Sequence, residues 1–153
     1  MTARPTARPT PAHPVEDVVL LRGAGLRVTA PRLAVLASVG ERDHPDVEQI
    51  VTAARSRLGA VSTQAVYDVL RVFERAGLVR RIEPAGSPAR FERRVGDNHH
   101  HLVCRRCGRV ADVDCVVGRA PCLKPAGAAG FTIDEADVTF WGLCAGCQPD
   151  GQG

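Results

Sequence analysis

Two cysteine pairs and a run of histidines are the residues of this chain best suited to bind metal. Cys104 and Cys107 follow the histidines at 99–101, and Cys144 and Cys147 repeat the C-x-x-C spacing near the C-terminus. Thiolates at this spacing are typical ligands of a closed tetrahedral zinc site. Disulfides are disfavoured because no signal peptide precedes them, and a redox motif would need a βαβ context that is not visible. We therefore predict one structural zinc on these four cysteines.

The histidine run favours a second metal site. If residues 99–104 form a strand, His99 and His101 share one face and His100 lies on the other. Two imidazoles on one face can bind one ion. A solvated polar loop or an expression tag is the alternative, but the run is internal, short and continuous with residues of strand character.

Length and charge indicate two small parts. The chain has 153 residues, which allows one domain or two small ones, and only 4% are aromatic. Residues 1–96 carry a net charge of +5 and residues 97–153 a net charge of −2. A basic first half suits a nucleic-acid-binding module. No apolar run approaches the length of a membrane span, so we expect a soluble, cytoplasmic protein.

The first half reads as helical. Residues 1–14 are rich in Pro and Thr and are expected to form a disordered arm. Helical spacing of apolar residues and capping signals predict four helices after it. The first runs from Val15 to Gly23, and the third ends at Gly59. The predicted N-terminal caps of the second, third and fourth helices are, in that order, Thr29, Asp46 with Gln49 in a capping box, and Ser62 or Thr63.

The fourth helix precedes a β-hairpin. Its predicted buried stripe leaves Gln64 and Tyr67 outside, and two short strands follow around the turn at 85–88. Helices followed by a hairpin predict a winged helix-turn-helix, whose last helix enters the major groove of DNA. An ordinary helical bundle with a surface tyrosine is the alternative. The residues of the predicted stripe are Val66, Val69, Leu70 and Phe73.

The second half reads as a small β-type domain. Residues 95–98 are the predicted hinge, and strands are expected through Val110 and Val113 and around residues 138–141. Two or three strands bury little surface alone, so pairing with a second copy is expected.

Several segments together resemble a known family. AGLRVTAPRLAVL, the HP at 44–45, QAVYDVLRVFERAGLV, RFE, HHHLVCRRCG and WGLCAGC occur in the order found in the ferric uptake regulator (Fur) family of bacterial metal- and peroxide-sensing repressors. The resemblance covers about residues 15–147. QAVYDVL, AGSPARFE and DVDCVVGRAPCL are most similar to the branch of actinobacterial catalase and catalase-peroxidase repressors.

The resemblance implies an α+β homodimer. It comprises an N-terminal winged helix-turn-helix at 15–94, a hinge at 95–98, a small α/β dimerisation domain with the four-cysteine zinc site at 99–147, and a tail at 148–153. It also implies that Arg27 reaches the minor groove of operator DNA, with Tyr67 and Gln64 near base faces. The implied ligands of a regulatory Fe(II) or Mn(II) ion are His44, Glu92, His99, His101 and Asp112.

The chain departs from the family pattern at four positions. Ala65 replaces the usual Thr and Asp68 the usual Arg or Asn of the recognition helix, which bears on the operator sequence. Ala136 stands where many relatives have a His, which removes a partner for His100 in a further metal site. Glu92 stands where dedicated peroxide sensors often have Asp.

The resemblance therefore implies a metal-dependent repressor, not an enzyme, that senses Fe(II), hydrogen peroxide or both and controls catalase, oxidative-stress or iron genes. A zinc- or nickel-uptake regulator of the same family is one alternative. A zinc-knuckle metalloenzyme with Glu92 as general base is another, and a thiol-redox regulator using Cys115 and Cys122 is a third.

Overall fold

The computed structural model describes residues 14–93, 99–114, 127, 129–132 and 138–149. The chain divides into two compact units. Residues 14–93 belong to the first unit, and the described residues from 99 onward belong to the second. The predicted arm, the predicted hinge at 95–98, Cys115, Cys122 and Ala136 lie outside the described residues.

The first unit has four helices and a two-stranded sheet. The two strands of this sheet pair antiparallel, with Arg80 opposite Glu92. This order of elements is that of a winged helix. The elements are α1 (Pro14–Gly23), α2 (Ala30–Gly40), α3 (Val47–Leu58), α4 (Thr63–Arg75), β1 (Arg80–Ile82) and β2 (Arg90–Glu92).

The helix starts follow from the capping residues. The Thr29 side chain accepts a hydrogen bond from the backbone N–H of Arg32, and Ser62 does the same for α4. Asp46 and Gln49 form both hydrogen bonds of a capping box at the start of α3. Each cap satisfies backbone N–H groups that a helix leaves without an internal partner. The predicted caps are confirmed.

The core of the first unit lies between the helices and the sheet. Leu36 of α2, Ile50 of α3 and Phe73 of α4 have no exposed surface. Phe91 of β2 is 2% exposed, which ties the hairpin to the helices. The predicted stripe of α4 is confirmed at Val66, Leu70 and Phe73, and Val69 is half-buried at its edge.

The described residues of the second unit form a three-stranded sheet. Its strands are β3 (His99–Cys104), β4 (Val110–Asp114) and β5 (Thr139–Gly142), and a 3-10 turn follows at Ala145–Cys147. β3 lies in the middle, antiparallel to β4 and parallel to β5. The predicted strand over residues 99–104 is confirmed, and the chain is of the α+β class. Within the described part of the chain, no helix is both long and apolar enough to cross a membrane.

Candidate metal centres

The four predicted zinc ligands meet at one end of the second unit. Their sulfur atoms all lie within 4.8 Å of one another. The Sγ atoms of Cys107 and Cys144 are 3.7 Å apart. Zinc–sulfur bonds of about 2.3 Å in a tetrahedron place sulfurs about 3.8 Å apart. The donor set and its spacing therefore fit a zinc ion, as predicted.

Contacts between the segments that carry the two cysteine pairs hold this cluster together. The N–H of Arg105 donates to the carbonyl of Gly142 at 2.8 Å, and the Arg106 side chain donates to the carbonyl of Cys147 at 3.1 Å. The guanidinium of Arg105 also lies 5.3 Å from the ring centroid of Trp141. These contacts bring the end of β5 against the first C-x-x-C turn.

The sulfurs differ in their affinity for protons. Backbone N–H donors, first that of Cys144 and then that of Cys107, lower the pKa of the Cys104 thiol to about 6. Side-chain hydrogen bonds, first with Cys144 and then with Cys107, raise the pKa of Cys147 to about 12. Four adjacent sulfurs cannot all hold negative charge unless a cation balances it, and metal binding takes them all as thiolates.

A second set of candidate ligands lies on the same sheet. Nε2 of His99 and Nε2 of His101 are 3.6 Å and 3.7 Å from the same carboxylate oxygen of Asp112. His101 is opposite Asp112 in the β3–β4 register. His100 lies on the other face, edge-on to Phe140. The predicted alternation of the three histidines is confirmed.

The first unit brings together the remaining two candidate ligands. Nε2 of His44 lies 3.1 Å from Oε2 of Glu92, and both side chains are 5% exposed. The segment that carries His44 is tied to β2, because the N–H of Phe91 donates to the carbonyl of Pro45 at 3.0 Å. Arg90 adds an ion pair with Asp46 at 3.8 Å. Sequence reasoning did not find Arg90, because no local pattern links it to Asp46.

His44 also has an uncommon backbone conformation. Its φ angle is +49°, in the left-handed region that residues other than glycine adopt at a cost. Such residues persist where the surrounding contacts determine the conformation, and they cluster at functional sites. The strained backbone directs the imidazole to the carboxylate of Glu92.

The predicted DNA-contacting residues lie on the surface of the first unit. Tyr67 is 41% exposed, and Gln64 is exposed one turn earlier on α4. The amide of Gln64 donates to Asp68 at 2.9 Å, and Asp68 also pairs with Arg71 at 3.7 Å. Arg27 lies in the segment before α2, where its carbonyl accepts a hydrogen bond from Arg32 at 2.9 Å.

Comparison with known proteins identifies the family of the chain. Residues 23–140 match the Ferric uptake regulator family. The transcriptional regulator FurA of Mycobacterium tuberculosis is 60% identical over 127 residues, which cover 83% of this chain and 86% of that protein. The peroxide-responsive repressor PerR of Staphylococcus epidermidis is 28% identical, with 89% and 91% covered.

A solved structure supports the same assignment. The ferric uptake regulator of Pseudomonas aeruginosa with manganese has a TM-score of 0.61 and 28% identity, covering 84% of this chain and 98% of that one. The chain belongs to the ferric uptake regulator family, and it is a transcriptional regulator of that family.

Loss of one zinc-binding cysteine should unfold the second unit. Cys104→Ser or Cys144→Ser removes a thiolate from a cluster that, with zinc, contributes on the order of 10 kcal/mol to folding. We expect zinc content measured by mass spectrometry to fall to zero and the emission of Trp141, the single tryptophan, to shift to longer wavelength. Cys122→Ser, outside the C-x-x-C pairs, should retain zinc. A zinc-free Cys104→Ser protein with the wild-type emission spectrum would refute the structural role.

Proposed function

We propose that this protein is a metal-dependent repressor that binds operator DNA as a homodimer and senses Fe(II) and hydrogen peroxide. The observation that carries the proposal is the pairing of imidazole and carboxylate groups in each unit. The first unit supplies His44 and Glu92, and the second supplies His99, His101 and Asp112. We propose that one regulatory ion takes ligands from both groups.

The chemistry of the donors supports iron or manganese. Three imidazole nitrogens and two carboxylate groups suit Fe(II) and Mn(II), whereas thiolates favour zinc. Within each unit the candidate donor atoms already lie close together. An ion bound there would replace the contacts between these side chains and would require little movement of them. The Pseudomonas aeruginosa relative was solved with manganese.

The regulation follows from linkage between metal and DNA binding. An ion that needs ligands from both units favours one arrangement of the units over all others. If that arrangement matches the operator, the metal raises DNA affinity, and DNA raises metal affinity by the same factor. Loss of the metal, or of one ligand, then releases the DNA.

The second unit offers a surface for the partner copy. Leu102, Phe140 and Leu143 are 44%, 39% and 43% exposed, and they line one shallow apolar cavity on the sheet. Large exposed apolar side chains grouped in this way mark interaction surfaces. A twofold dimer formed through this face presents two recognition helices to successive turns of DNA.

Tyr67→Ala tests the DNA-binding surface. Tyr67 is exposed and outside the buried stripe of α4, so its removal should leave the fold intact while weakening operator binding. We expect about tenfold weaker binding in fluorescence anisotropy, the size of a lost base contact of about 1–3 kcal/mol. Val15→Ala, a change at a more exposed apolar position on α1, is the control. Wild-type affinity in Tyr67→Ala would show that α4 does not read the operator.

His44→Ala and His99→Ala test the proposed regulatory site, one variant in each unit. Each variant removes one imidazole ligand, so Mn(II) should no longer increase DNA affinity in either protein. Zinc bound by the cysteines should remain at the wild-type level, because neither residue belongs to that cluster. The measurement is DNA binding across a Mn(II) titration. Normal metal dependence in His44→Ala would exclude His44 as a ligand and contradict the proposed ligand set.

Peroxide treatment tests the sensed signal. Bound Fe(II) would reduce hydrogen peroxide to hydroxide and a hydroxyl radical, and that radical would add to the ring of a nearby ligand histidine. Return of one electron from the ring adduct to Fe(III), with loss of a proton, would leave one oxygen on the histidine and release the second oxygen of the peroxide as water. We expect intact-mass and peptide spectra of the Fe(II) protein to gain about 16 Da, one oxygen atom, at His44, His99 or His101, with DNA released. The Mn(II) protein, treated alike, is the control and should resist. An unmodified Fe(II) protein that still binds DNA would make this an iron sensor.

A zinc- or nickel-uptake regulator of the same family is the second candidate, favoured by the imidazole-rich donor set. Under that proposal, Zn(II) or Ni(II) rather than Mn(II) would restore operator binding at the lower free concentration. We propose that the protein acts in the cytoplasm, where operator DNA is located, and that it has no catalytic turnover of its own.

A further inference from the structure

Arg93 makes a buried ion pair directly beside a proposed metal ligand. It follows Glu92 at the end of β2, and its Nη2 donates to Oδ1 of Asp17 on α1 at 2.7 Å. The Asp17 side chain is 2% exposed and that of Arg93 is 21% exposed. The contact joins residues 76 positions apart in the chain.

Burial makes this pair persistent. Exposed ion pairs exchange easily with water and hold side chains weakly. A carboxylate as buried as Asp17 must instead keep a cation or several donors nearby, because its desolvation is otherwise uncompensated. The Arg93 side chain is therefore held on α1 rather than free to leave it.

Gly40 provides the space in which Arg93 lies. A Cβ atom at Gly40, the last residue of α2, would be 2.7 Å from Nη1 and 2.9 Å from Cδ of Arg93. Both distances are shorter than a normal carbon contact allows. Gly40 has an ordinary helical backbone without positive φ, so the approach of Arg93 is the structural reason for glycine here.

Glu92, the last residue of β2, and Arg93, the residue after it, are thus held by different elements. Glu92 contacts His44, and Arg93 lies across the end of α2 with its guanidinium on α1. Because one peptide bond joins the two residues, with Cα atoms about 3.8 Å apart, a displacement of the Arg93 backbone would also move Glu92.

We propose that Asp17, Gly40 and Arg93 form a positioning device that holds Glu92 in the geometry of a metal ligand and so sets the affinity of the regulatory site. The inference rests on the proposed function, because it takes Glu92 and His44 as ligands of that site. The three residues are positioning residues and do not themselves bind the ion. Supporting groups around a metal site commonly change metal affinity by about 10–100-fold.

Three variants of the full-length, zinc-loaded protein test the device. Gly40→Ala pushes Arg93 from its place without changing any charge. The double variant Asp17→Asn/Arg93→Ala removes the ion pair without leaving a buried charge alone, and it leaves no side-chain atom at the Cδ position that lies beside Gly40. The triple variant adds Gly40→Ala to that double variant, in a place where no arginine remains to be displaced.

The measurement is Mn(II) affinity, from the free-ion EPR signal in a titration well below the unfolding temperature. We expect Gly40→Ala and the double variant each to bind Mn(II) about tenfold more weakly than wild type. The triple variant should bind no more weakly than the double variant. Zinc content should be unchanged in all of them. Glu83→Gln, which breaks the exposed Arg81–Glu83 pair of the hairpin, is the matched control and should bind normally.

The possible outcomes distinguish a failure of this inference from a failure of the proposed function on which it rests. If wild type binds Mn(II) in a His44-dependent manner but Gly40→Ala and the double variant keep its affinity, the ion pair is only structural and the inference is wrong. A lower unfolding temperature with unchanged Mn(II) affinity would show the same. If wild type binds no Mn(II), or His44→Ala has no effect, the proposed regulatory site itself is wrong and the inference falls with it.

Discussion

Burial of imidazole and carboxylate side chains is the constraint on which both units depend. Such groups are costly to remove from water unless each finds a partner of suitable charge. His44 and Glu92 are each 5% exposed in the first unit, and His99 and His101 are 3% and 0% exposed in the second. Each unit compensates part of this cost internally, through the His44–Glu92 contact and through Asp112. A divalent cation compensates more, since it turns adjacent carboxylates and imidazoles into ligands.

The cysteine cluster provides the rigidity that this arrangement requires. The described sheet of the second unit is small, and a structural metal is one of the means by which small domains offset a limited apolar core. Cys104 ends β3 and Cys144 follows β5, so zinc on the cluster fixes the two strands to each other. His99 and His101 lie on the same β3. The structural ion thus holds in place the strand from which the regulatory ion would take two of its ligands.

Sequence analysis predicted the features that depend on residues close together in the chain. The two residues of the capping box, Asp46 and Gln49, are three positions apart, and the common face of His99 and His101 follows from strand geometry alone. The role of His44 came from a resemblance, since nothing near it in the chain marks it as a ligand. The Asp17–Arg93 pair was not predicted, because it joins distant segments and depends on space left by a glycine. Long-range contacts of this kind follow from packing, which no short pattern encodes.

The central claim is that one ion takes ligands from both units, and a count of its imidazole ligands tests that claim directly. Pulsed EPR on the Mn(II)-loaded, zinc-containing protein resolves the ¹⁴N couplings of coordinated histidines. The account predicts three imidazoles on one Mn(II), falling to two in His44→Ala. Two imidazoles in wild type, unchanged in His44→Ala, would place the ion on His99 and His101 alone and contradict the account.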